Sequence, residues 1–256
     1  MLERWREQYE LGAVGIGGFG PLELDPAHPD HGCVVSTPKP GWSGADLLGL
    51  VAGLDAPAAL DTDVNGAALA EGRWGAARGL DSWAYVTVGT GVGVGSIVVG
   101  RPVRGMGHSE AGHMRIPRLA GDVWAGACPY HGDCVEGLAS GHAIQARTGR
   151  PAESLRPDDP VWEGVVHALT GLFHNLVLTT LPQRILVGGS VAAGQPHLMP
   201  RLRFALKVSL AGYGAAAGIE PELFLREPGL GDMAGPLGAV AIGLSALEPS
   251  HAIATS

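Results

Sequence analysis

Three residues in one short run, Cys128-Pro129-Tyr130-His131-Gly132-Asp133-Cys134, restrict what this chain can become. Two residues separate each ligand-type side chain from the next, so a tight turn through Gly132 can point two thiolates and an imidazole at one centre. His113, upstream, supplies a fourth ligand and completes the set that a closed tetrahedral zinc ion requires. A complete set leaves no position for water, so the expected zinc is structural and not a Lewis acid at a reaction. The competing reading is a surface loop with two free thiols. With three cysteines, two of them beside histidines, metal is favoured over a disulfide in a reducing compartment, and Cys33 is expected simply to pack.

A chain of 256 residues suits one large domain or two lobes around a shared cleft, and two lobes is the reading carried forward. The net charge of −8 repels phosphate backbones and anionic membranes, so neither nucleic acid nor a membrane is an expected partner. No apolar run of roughly 18 residues occurs, and Met1–Glu7 lacks the apolar core of a signal peptide. A cytoplasmic location is therefore expected. An anionic substrate would need local help from backbone N–H groups and a divalent cation.

Short β-branched runs bounded by glycine predict strands at Gly12–Gly18, Trp83–Val88, Gly95–Val99 and Arg184–Val187. Longer segments predict helices at Asn65–Arg78, Gly137–Arg147, Val161–Leu181, Leu198–Ala211 and Ala234–Leu247. The mixture predicts an α/β fold. The tail containing Pro249, Ser250 and Ser256 reads as disordered.

Gly89-Thr90-Gly91-Val92-Gly93-Val94-Gly95 sits between two strand-like runs and reads as a hairpin turn. It lacks the Gly-Lys-Ser/Thr of a P-loop and opens no helix, so neither nucleotide fingerprint applies. Its N–H groups and the Thr90 hydroxyl can approach phosphate oxygens, although a plain flexible hairpin is the reading the sequence alone favours. Asp61-Thr62-Asp63-Val64-Asn65 precedes a helix, where one carboxylate can cap and another, Asp63, can face a cleft; all three polar groups can also be mere caps. Glu110 and Glu136 flank the metal run at its two ends, as second-shell carboxylates held by the ion or as solvated surface groups. His167 and His174 share one helical face and read as packing or surface residues, and His108 lacks a partner that would make it catalytic.

Taken in order, Gly18-Phe19-Gly20-Pro21, Ser36–Trp42, Asp61–Ala68, Gly89–Gly95, Glu110–His113 and Cys128–Gly141 resemble the ROK family of sugar kinases, most closely its bacterial fructokinase branch. The resemblance runs from about Val14 to Leu244. It implies an actin-like (ribonuclease H-like) two-lobed fold, with residues 1–62 a small-lobe remnant, residues 63–256 a large lobe, and the C-terminal helix packing back on the small lobe. It also implies ATP-dependent phosphorylation of a hexose, fructose first, with Asp63 as general base and Asn65, Glu110, His113 and Glu136 gripping sugar hydroxyls. Gly89, Thr90, Gly91 and Gly93, with Gly188, Gly189 and Gly235, match the nucleotide side, Mg²⁺ accompanies ATP, and a homodimer is implied. The family's Asp-x-Gly-Gly-Thr phosphate loop lies upstream of where this sequence starts. Weak catalysis, or a non-catalytic sugar-binding or regulatory role, is therefore the alternative expectation.

Overall fold

The computed structural model describes residues 4–5 and 8–248, so the Pro249–Ser256 tail and part of Met1–Glu7 lie outside the described residues. Two strands, β1 (Val14–Gly18) and β2 (Ala58–Thr62), pair in parallel with Val14 opposite Ala58. Five more form the main sheet: β3 (Trp83–Val88), β4 (Val92–Val98), β5 (Arg101–Pro102), β6 (Ile185–Gly188) and β7 (Leu225–Arg226). Their spatial order is β5-β4-β3-β6-β7. The β3–β4 and β4–β5 pairs are antiparallel, whereas β3–β6 and β6–β7 are parallel.

Alternation along β3 explains why the sheet is covered on both faces. Ala84, Val86 and Val88 join one buried cluster, while Trp83 and Tyr85 join another. The first cluster is built on α4 (Val161–Thr180), whose buried Val165, Leu169, Leu172, Phe173 and Leu176 recur at helical spacing. The second lies against α1 (Asp63–Trp74), where the Trp83 indole N–H donates to the Ala68 carbonyl at 2.9 Å. The result is the expected α/β architecture.

The sequence places a single helix over Gly137–Arg147, but two short ones stand there, α2 (Val135–Ala139) and α3 (Gly141–Thr148). Ser140 is the cause. Its extended backbone stops α2, its hydroxyl caps α3 by accepting from Ala143 N at 3.0 Å, and the next N–H, of Gly141, donates to the Gly89 carbonyl at 2.7 Å. The strand expected from Gly95 begins instead at Val92, which pairs with Val88. Strand β2 was not predicted, because Ala58 and Ala59 have little intrinsic strand preference and pairing with β1 decides their conformation.

Further along come α5 (Ser190–Gly194), α6 (Leu198–Leu210), α7 (Pro221–Phe224) and α8 (Ala234–Ser245). Helix α8 returns to the beginning of the chain and approaches β1 and α1 backbone to backbone. A Cβ on Gly15 would lie 1.9 Å from the Ala239 carbonyl oxygen, and one on Gly238 would lie 2.7 Å from the Gly66 carbonyl carbon. Only glycine fits at these crossings.

Candidate active site

A cleft of about 710 Å³ opens between the β1 side of the molecule and the β3–β4 hairpin. Its floor is the start of α1, where three neighbouring polar residues take three different tasks. Thr62 caps the helix, its hydroxyl accepting from Asn65 N at 3.1 Å. Asp61 is buried, accepting from the Asn65 side-chain amide at 2.8 Å and from Arg104 at 2.7 Å. Asp63 is free to line the cleft. Removal from water within the cleft raises the Asp63 carboxyl above its ordinary range, against the opposing pull of the Val64 N–H, Lys39 and His108.

The rear wall is the hairpin turn Gly89-Thr90-Gly91, all three residues of which line the cleft together with Gly93. Glu136, in the first turn of α2, accepts a hydrogen bond from Val92 N at 3.0 Å. A Cβ on Gly91 would stand 2.6 Å from the same carboxylate oxygen, and one on Gly112 would stand 1.8 Å from the Val92 carbonyl oxygen. Glycine is thus required for the turn, the α2 carboxylate and the 110–113 segment to meet.

Behind that wall His113, Cys128, His131 and Cys134 converge, with all ligand atoms within 4.8 Å of one another. The His113 Nδ1 lies 3.5 Å from Cys128 Sγ and 3.6 Å from Cys134 Sγ, and the His131 Nδ1 lies 3.7 Å from Cys128 Sγ. A tetrahedral zinc with bonds of about 2.3 Å to sulfur and about 2.0 Å to nitrogen separates such atoms by roughly 3.5 Å, so this group fits the ion. Cys134 Sγ also accepts from Gly137 N at 3.4 Å, which caps α2. Burial pushes the Cys134 thiol up to about 12. Cation binding would reverse that preference by holding the thiolate. With Nδ1 turned to the sulfurs, His113 Nε2 faces the cleft at 3.9 Å from Glu136 Oε1.

Glu110 completes the row of carboxylates on the cleft lining. Although its side chain is 48% exposed, partial desolvation by the cleft walls raises its carboxyl above the usual range, opposed by His108 and His113 and reinforced by Glu136 and Asp63. The opposite wall carries Phe19, Pro21 and the Ser36–Lys39 segment. Lys39 Nζ stands 3.3 Å from the Phe19 ring centroid, and Phe19 meets Trp42 edge-on at 5.1 Å.

The residues singled out from the sequence therefore divide. Asp63, Glu110, His113, Glu136, Gly89, Thr90, Gly91 and Gly93 share the cleft, and Cys128 and His131 border it. Asn65 lies beneath the floor with its amide committed to Asp61. Gly188 and Gly189 end β6 and lead into α5, and Gly235 opens α8; none of the three is among the lining residues. Gly189 has φ +91°, and a Cβ there would come 2.5 Å from the Val88 carbonyl oxygen. Sequence reading missed the Asp61–Arg104 pair and the Leu22 donor to His108, because those contacts span 43 and 86 positions. Neither His167 nor His174 joins the cleft, His167 contacting the Pro117 carbonyl at 2.8 Å and His174 the Ser209 hydroxyl at 2.9 Å.

A family model described as "ROK family" matches residues 1–245. The chain is 37% identical over 241 residues to a fructokinase of Pediococcus pentosaceus, spanning 94% of this chain and 83% of that protein. Against a fructokinase of Zymomonas mobilis it is 40% identical over 238 residues, spanning 91% and 78%. A xylose repressor of Bacillus subtilis is 31% identical over 216 residues, spanning 77% and 53%. Among solved structures, the ROK hexokinase from Thermus thermophilus superposes with a TM-score of 0.75 at 28% identity, covering 96% of this chain and 84% of that one.

Proposed function

Since the chain belongs to the ROK family, we propose that it phosphorylates a hexose with ATP, D-fructose to fructose 6-phosphate first. The observation that carries this reading is the gathering of Asp63, Glu110, Glu136 and the free nitrogen of His113 in one cleft backed by the four-ligand group. Asp63 accepts the proton of the attacking hydroxyl. Its raised carboxyl suits a base, because the conjugate base of a weaker acid takes a proton more readily. Glu110, Glu136 and His113 Nε2 present acceptors and a donor to sugar hydroxyls, and Asn65 supports the floor through Asp61. His113, Cys128, His131 and Cys134 hold a structural zinc, which supplies no chemistry beyond fixing the tautomer and direction of His113.

Phosphoryl transfer requires in-line placement and charge neutralisation. Lys39 is the one Lys or Arg among the described residues that line the cleft. Mg²⁺ bound with ATP supplies the remaining positive charge, and the N–H groups of the Gly89–Gly93 turn, with Gly188, Gly189 and Gly235, serve the nucleotide side. In this reading residues 1–62 and 63–256 are the two lobes, the enzyme works in the cytoplasm, and it forms a homodimer as its family resemblance implies. No helix among the described residues is long and apolar enough to cross a membrane.

Purified protein supplied with ATP, Mg²⁺ and fructose should release ADP above the background of Asp63→Ala, and equal rates would remove the kinase reading. The repressor relative favours a second reading, a sugar binder without catalysis. Calorimetry separates the two, since sugar binding with no nucleotide binding would support the second.

A further inference from the structure

His108 has no evident partner in the sequence, yet it is one of the most enclosed polar groups of the cleft, with its side chain only 4% exposed. Its Nε2 accepts from the Leu22 backbone N–H at 2.9 Å. The neutral ring therefore carries its proton on Nδ1. That nitrogen lies 3.5 Å from Glu110 Oε1 and 3.4 Å from the Ser109 carbonyl. Thus one ring touches the Phe19–Leu22 segment with one nitrogen and the proposed sugar carboxylate with the other.

The backbone around His108 is arranged to hold it there. Arg104 and His108 face each other in a small antiparallel bridge closed by a turn, with Gly105 N donating to the Gly107 carbonyl at 3.0 Å. The two feet of this turn grip different parts of the cleft. Arg104 reaches down to Asp61, two residues before Asp63, and His108 reaches across to Leu22. Gly20 leaves no slack on the far side, because a Cβ there would lie 2.7 Å from both Glu110 Oε1 and His108 Cε1. Two walls of the cleft, encoded 86 positions apart, are set against each other through this one ring.

We propose that His108 is a positioning residue for the hexose: it fixes the direction of the Glu110 carboxylate and the distance between Glu110 and the Phe19–Leu22 wall. The proposal rests on the sugar-site reading above. A freely rotating Glu110 would have to be ordered by each incoming sugar, and misplacing a binding group by about 1 Å is enough to cost up to about 100-fold in rate.

The test uses the full chain with fructose as the calorimetric probe, alongside thermal melting. His108→Leu removes both polar contacts and should weaken fructose binding by about tenfold or more, while His108→Gln, which keeps one acceptor and one donor, should recover most of it. Gly20→Ala, which presses on the same pair from the other side, should weaken binding in the same direction. Loss of affinity that tracks the melting temperature across the three variants, without glutamine rescue, would reduce His108 to a structural role and overturn the proposal. So would a folded His108→Leu protein that binds fructose like wild type. If His108→Leu does not fold, unchanged affinity in Gly20→Ala overturns it instead. A wild-type chain that binds no hexose would sink the sugar-site reading itself, a result distinct from either variant outcome.

Discussion

The N–H of Val92 donates to the Oε2 of Glu136 at 3.0 Å, so the backbone of a glycine turn sets the direction of a carboxylate 44 positions away. The contact exists because Gly91 has no side chain; its Cβ would stand 2.6 Å from that oxygen. Gly91→Ala should therefore turn Glu136 aside and lower fructose affinity by about tenfold, about 1.4 kcal/mol. Calorimetry on a variant whose melting temperature matches wild type checks this.

Asp63 sets activity against stability. Its side chain stays open to the cleft, yet the surrounding walls strip enough water from the carboxyl to raise it, so the folded chain holds this proton more tightly than the unfolded chain does. The stabilisation is fully present below the ordinary carboxylate pKa and is lost as pH rises through the raised value. Asp63→Asn should consequently reduce kcat by about 10²–10⁴-fold while its melting temperature at pH 7 rises. The acid limb of the wild-type pH–rate profile should lie above about 4. A variant less stable than wild type at pH 7 would contradict the argument.

One zinc per chain should be found by elemental mass spectrometry, and Cys134→Ser should lose it. Cys134 both completes the ligand set and caps α2, the helix that carries Glu136. Sugar affinity should fall with the metal, by about tenfold or more, and the melting temperature should fall too. Unchanged sugar binding after verified metal removal would break the link between the ion and the pocket.

Glu71 is fully buried in α1, and its carboxylate accepts from three backbone N–H groups, those of Ala76, Gly229 and Leu230, at 2.6, 3.0 and 2.9 Å. It ties the end of α1 to the segment that leads into α8. Glu71→Gln should cost about 1–3 kcal/mol because one oxygen acceptor is exchanged for a donor facing donors. Glu71→Ala should cost more, and urea unfolding measures both.

The convergence of the four candidate metal ligands was legible because Cys128, His131 and Cys134 sit on one short loop, where their spacing brings them together. Asp63 was legible as the carboxylate for the cleft, but the capping role considered for a neighbouring carboxylate fell to Thr62, since Asp61 is drawn inward by Arg104 and Asn65. Helix α4 could be read from its apolar period. The break at Ser140 could not, because it depends on the Gly89 carbonyl taking the Gly141 N–H. His108 looked idle for the same reason: its hydrogen-bond donor, Leu22, is distant in the sequence. Local periodicity and ligand spacing survive in a sequence, whereas partners brought together by the sheet do not.

The glycine contact between β1 and α8 also governs when the molecule can finish folding. Gly15 leaves the ribosome long before Ala239 and Gly243, the residues that cover it. At about 5–20 residues per second, β1 waits roughly ten to fifty seconds for its cover. During synthesis the main sheet can assemble around α4, but the floor that carries Asp63 cannot be locked from behind until the last described helix, α8, has emerged. The Asp63 carboxylate is thus encoded early and secured late, which makes the floor of the cleft among the last parts of the described chain to mature.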